Sequence, residues 1–127
     1  MMKPRKIIVC LVLSFGPALP AIAQKIAPDG AKVLLLSGGK RQHHGYRDQA
    51  LYLSGMLENT GRYQVTICED AAILETTAMA KYDLLIVNAD RRDDEFKFTL
   101  GQQQAIFDYV RAGHGYVSIH EIGRAHV

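Results

Sequence analysis

Short apolar runs alternate with helical periods along most of this chain. "KVLLLSGG" (residues 32–39) is a continuous apolar run ending in glycines, which predicts a strand and its turn. In "YRDQALYLSGMLENTG" (residues 46–61), Tyr46, Ala50, Leu53 and Leu57 recur at helical spacing and mark one face of an amphipathic helix. Gly61 suits the C′ position just past it, where the backbone turns left-handed. "QVTIC" (residues 64–68) alternates, with Val65 and Ile67 on one face, which suits a strand near the edge of a sheet. "AAILETTAMAKY" (residues 71–82) reads as a short helix or irregular crossover.

"DLLIV" (residues 83–87) is apolar from its second residue on, as expected of a parallel strand covered on both faces. "TLGQQQAIFDYVRAG" (residues 99–113) opens with Thr99 and Gln102 in a capping-box pattern. Its apolar stripe is Ile106, Tyr109 and Val110, and it closes at Gly113. "GYVSIH" (residues 115–120) is the next strand. The order β-α-β-(α)-β-α-β, with right-handed crossovers, builds a parallel sheet with helices on both faces. Ligands of such sheets bind outside the carboxyl ends of the strands. The residues of interest are therefore "SGGKRQHHG" after the first strand, "ED" after the second, "NADRRDDE" after the third, and His120 after the fourth.

The ends of the chain break this pattern. "MMKPRK" is basic, "IIVCLVLSF" is apolar, and "GPALPAIA" ends in small residues, the three parts of an export signal with cleavage expected after Ala23. The run is short and interrupted by Gly16, Pro17 and Pro20, which disfavours a membrane anchor. A periplasmic or secreted location follows as an expectation. Residues 24–31 read as a linker to a domain over residues 32–120. At the other end, "IGRAHV" (Ile122–Val127) coincides with the translation of a common sequencing adapter. Residues 121–127 are accordingly read as a tail of foreign origin, and the domain as its N-terminal part. Four strands are few for this kind of sheet, and the last would keep an open edge.

Composition changes the picture only through that leader. The 127 residues carry 15 Lys and Arg against 13 Asp and Glu, a formal charge of +2. Removing Lys3, Arg5 and Lys6 leaves 12 basic against 13 acidic side chains, so no nucleic-acid partner is indicated. Cys68 is then left without a second cysteine and is expected in the core. No CxxC, HExxH, Walker loop or GxGxxG is present.

Taken together, "KVLLLSGGKRQHHGYRDQ", "KYDLLIVNAD" and "LGQQQAIFDYVRAGHGYVSIH" resemble the ThuA-like (trehalose-utilisation) family. The resemblance is carried by the histidine-containing loop, Tyr82-Asp83, Tyr109-Val110, Gly113, Gly115 and Ile119-His120, over about Lys32 to His120. It implies the class I glutamine amidotransferase-like fold, a flavodoxin-like three-layer α/β sandwich. It also implies a role in the metabolism of disaccharides or keto-sugars. His120 stands where amidotransferase relatives carry a nucleophilic cysteine, so glutaminase activity is disfavoured. An imidazole there suits acid–base catalysis or metal binding.

His44, from the loop after the first strand, is the second catalytic candidate, with His43 beside it. If these histidines converge with Asp90, a zinc-type site becomes possible. Ser37, Gly38, Gly39, His43, Asn88, Asp90 and Arg91 are the candidates for contacting a small carbohydrate, since hydroxyl-rich ligands need paired donors and acceptors. The glycines equally serve a turn alone, and "NADRRDDEF" equally reads as a solvated loop. A sugar-binding module without turnover, and a hydrolase or amidotransferase with its nucleophile elsewhere, are the rival readings.

Overall fold

The structure, a computed structural model, describes residues 29–39, 45–90 and 97–119. Four strands form one parallel sheet: β1 (Ala31–Gly38), β2 (Tyr63–Cys68), β3 (Leu84–Ala89) and β4 (Gly115–Ile119), in the order β2-β1-β3-β4. Helix α1 (Tyr46–Glu58) covers one face. Helix α2 (Leu100–Arg111) and two 3-10 turns (Ala71–Glu75 and Thr77–Lys81) cover the other. This is the α/β, flavodoxin-like layering expected from the sequence.

The continuous apolar runs belong to the two central strands. Val33 to Leu36 of β1 are fully buried because alternate residues point into different layers. Leu34 and Leu36 join Leu85, Val87, Leu74, Met79 and Tyr109 on the α2 side. Val33 and Leu35 join Ile86 and Ala50 on the α1 side. Burying a leucine fully is worth roughly 1.5–3 kcal/mol, so these strands anchor the fold. The alternating β2 lies at the edge, with Val65 and Ile67 packed toward α1.

Asp83 explains the Tyr-Asp pair before β3. Its carboxylate accepts the Lys32 N–H at 2.8 Å, its own N–H reaches Lys32 O at 2.8 Å, and its carbonyl accepts from the Gly115 N–H at 2.9 Å. One residue thus fastens the amino ends of β1, β3 and β4. The Tyr109 hydroxyl donates to the Tyr82 carbonyl at 2.9 Å, tying α2 to the same corner.

Three local expectations change. The segment "AAILETTAMAKY" (residues 71–82) is neither one helix nor irregular: Asp70 and Thr76 each cap a separate 3-10 turn, accepting from the N–H groups of Ala72 and Ala78. The extended backbone of Thr76 separates the two turns. Gly61 does take a positive φ of 67°, but it stands one position beyond C′. Thr60 intervenes, its hydroxyl donating to the Leu57 carbonyl and drawing out the end of α1 by one residue. Val110 lies outside the buried stripe of α2 and is exposed, while Ala105, Ile106 and Tyr109 face the core.

At the start of α2 the reciprocal capping box of Thr99 and Gln102 is present as expected. Gly113 takes the left-handed C′ position with φ 95°. Cys68 is half-buried against the core on the α2 side.

Candidate functional site

The strand order reverses between β1 and β3. Their carboxyl ends therefore lie side by side while their connections leave on opposite faces, the arrangement that opens a crevice in such sheets. Ser37 is the register partner of Asn88, Gly38 that of Ala89, and the Asp90 N–H donates to the Gly38 carbonyl at 3.0 Å. The structure thus brings together five residues singled out in the sequence: Ser37, Gly38, Gly39, Asn88 and Asp90.

Their environments differ. Ser37 is fully buried, and its hydroxyl donates to the Tyr46 carbonyl at 3.1 Å. In this arrangement it fastens the start of α1 to the end of β1. Gly39, at φ 130°, lies against the Tyr46 ring and the Asp90 backbone, and an added Cβ would come within 2.7 Å of that ring. Asn88 and Asp90 are buried polar side chains at the crevice, 3% and 5% exposed. The Asn88 amide lies 3.5 Å from Gln49 Oε1 as donor, a long contact that orients it toward α1.

His43, His44, Arg91 and His120 lie outside the described residues. Their places in the chain are nevertheless informative. Arg91 directly follows Asp90, and His120 directly follows Ile119, the register partner of Asn88. His43 and His44 belong to the segment joining Gly39 to Gly45. Among the described residues, no three His, Cys, Asp or Glu side chains gather in a way that could hold a metal ion.

A family model described as trehalose utilisation (ThuA) matches residues 32–126. The chain belongs to the ThuA family. That description points to a role in carbohydrate metabolism, and the parallel sheet is of the type expected for a ThuA domain. No curated protein and no solved structure matches the chain.

Two features at this edge of the ThuA domain were not legible in the sequence. Tyr46 and Gln49 read only as parts of a helix, yet they pack on Gly39 and approach Asn88. The signal was their place in the first turn of a helix that follows a strand-end loop. The second feature is a two-pronged ion pair. Arg47 Nε and Nη2 donate to the Glu69 carboxylate at 2.9 and 2.7 Å. The pair ties α1 to the end of β2. Its hydrogen bonds and charge hold the Glu69 carboxyl below its ordinary range and the Arg47 guanidinium above its own. A contact between residues 22 apart leaves no periodic trace in sequence.

The arrangement offers an amide, a carboxylate and glycine backbone at one crevice. Such groups supply paired donors and acceptors to hydroxyls.

Proposed function

We propose that this ThuA-family protein binds and transforms a small carbohydrate, a disaccharide or keto-sugar, at the crevice between β1 and β3. The observation that carries the reading is the convergence of Gly38, Gly39, Asn88 and Asp90 at the reversal of strand order. Asn88 and Asp90 contact hydroxyls of the ligand, with Ser37, Gly38 and Gly39 shaping the floor. His43 and Arg91, adjoining that edge in sequence, complete the binding set.

His44 and His120 serve as the acid–base pair, since imidazole exchanges a proton near neutral pH. With Asp90 they would also form a ligand set suited to zinc, two nitrogens and one oxygen with a position left for water. A zinc ion there would polarise a carbonyl or activate water. Export to the periplasm or outside the cell belongs to the same proposal and rests on the leader pattern of residues 1–23.

The test is calorimetric titration with trehalose and keto-disaccharides, alongside product analysis. His120→Ala is expected to abolish turnover while leaving the melting temperature and sugar affinity in place. Unchanged turnover in that variant would remove His120 from the mechanism. Sugar binding with no product at all would favour a binding module. Elemental analysis giving about one zinc per chain, lost in His44→Ala, would support the metal.

A further inference from the structure

Ser37 and Asn88 lie on the face of the sheet that α1 covers, each two residues beyond a core residue of that layer, Leu35 and Ile86. The first turn of α1 sits over both. The Ser37 hydroxyl goes to the Tyr46 carbonyl at 3.1 Å. Asn88 is 3% exposed, and a buried amide, with two donor hydrogens and an acceptor oxygen, calls for a partner. Among the described residues its side-chain partner is Gln49, whose Oε1 accepts from Asn88 Nδ2 at 3.5 Å.

The turn that carries Gln49 is itself fixed. The Gln49 N–H donates to the Gly45 carbonyl at 2.9 Å, closing the first turn of the helix. Ser37 holds that turn to β1, and Arg47 holds it to Glu69 at the end of β2 through two hydrogen bonds of 2.9 and 2.7 Å. Contacts of α1 with β1 and β2 thus deliver Gln49 to the end of β3.

We propose that Gln49 is a positioning residue of the crevice: by accepting from Nδ2 it fixes which way round the Asn88 amide stands. Turning an asparagine amide over exchanges its oxygen and its nitrogen, so an unanchored Asn88 would offer a ligand either an acceptor or a donor. With Nδ2 directed to α1, Oδ1 is turned away from the helix and left for the ligand. That oxygen accepts from a hydroxyl and has nothing to give a carbonyl, so the ligand group that meets Asn88 is a hydroxyl. An amide held in one orientation beforehand also loses less freedom when the ligand arrives. For its effect on affinity the inference rests on the carbohydrate reading. For its effect on Asn88 it rests on the Gln49 contact alone.

Two readouts on the full chain test it. Alanine is a good helix former, so Gln49→Ala keeps α1 in place. In the nitrogen–proton NMR spectrum, the side-chain amide signals of Asn88 are those lost in Asn88→Asp. They should move and exchange faster with solvent in Gln49→Ala. They should return toward their original place in Gln49→Glu, which keeps an acceptor oxygen. Asn88 signals unmoved in Gln49→Ala would overturn the proposal whether or not a sugar binds. The second readout is calorimetric titration with trehalose. Gln49→Ala should weaken binding about three- to tenfold, the worth of one hydrogen bond, and Gln49→Glu should recover most of that loss. In an Asn88→Ala background, Gln49→Ala should cost little further affinity, because the two residues act as one unit. Losses that simply add would show Gln49 acting apart from Asn88 and would equally overturn the proposal. If the unaltered chain binds no sugar, the carbohydrate reading falls, and the Asn88 signals alone decide the role of Gln49.

Discussion

Tyr109 shows how a position marked by its spacing and its place in the family pattern acquires a defined task. Its ring lies in the core, its hydroxyl holds the Tyr82 carbonyl, and His114 stacks on it with centroids 4.3 Å apart. Tyr109→Phe leaves that carbonyl short of a partner and should cost about 1–2 kcal/mol in denaturant unfolding. Burial, aided by the nearby Asp83 charge, pushes the phenol up from 10.0 to about 12. The folded state therefore keeps a proton that the unfolded state gives up. Stability should fall as pH rises from 10 toward 12, and the Phe variant should lose this part of the alkaline slope. Gly39 is the second such position. Gly39→Ala puts a methyl against the Tyr46 ring and the Asp90 backbone at a φ that favours glycine. A loss of about 1–3 kcal/mol is expected in thermal unfolding, with sugar affinity falling alongside it.

Among the elements, α2 is specified locally and α1 by tertiary contacts. The capping box at Thr99 satisfies orphan N–H groups at the start of α2. Thr99→Ala should cost about 1 kcal/mol, visible as a lowered urea midpoint with an unchanged slope. Helix α1 has no side-chain cap at Gly45 and is held instead by Ser37 and by the Arg47–Glu69 pair. Because the pair lowers the Glu69 pKa, its stabilisation is present above the ordinary value of 4.5 and is lost as pH falls through the folded value. The stability difference between the protein and Glu69→Gln should therefore shrink on acidification below pH 4.5. Salt should shrink it too, since both partners are solvent-exposed.

At the scale of the molecule, the two central strands join both layers of the core. Leu34 is fully buried among residues from β3, α2 and the 3-10 turns. Leu34→Ala should cost about 2–5 kcal/mol, the range for a large-to-small change in a packed core. The same truncation in β2 should cost far less, because Val65 on that edge strand is only partly buried. A guanidinium titration of Leu34→Ala beside Val65→Ala measures the contrast.

The amino-acid sequence by itself determined the elements and the layering. Continuous apolar runs mark strands covered on both faces, alternation marks β2 at the edge, and the helical period marks α1 and α2. These signals are local: each depends on a residue and its neighbours within two turns or one strand. The capping box and Gly113 are legible for the same reason. The tertiary structure alone decided which strand ends meet. Ser37 opposite Asn88, Gly39 under Tyr46 and Arg47 on Glu69 all join residues from separate elements. It also decided that Val110 faces outward, because one 12-residue helix packs along a stripe too narrow to bury every apolar residue. Pairing and packing depend on the order of strands in space, and no single stretch of sequence carries that order.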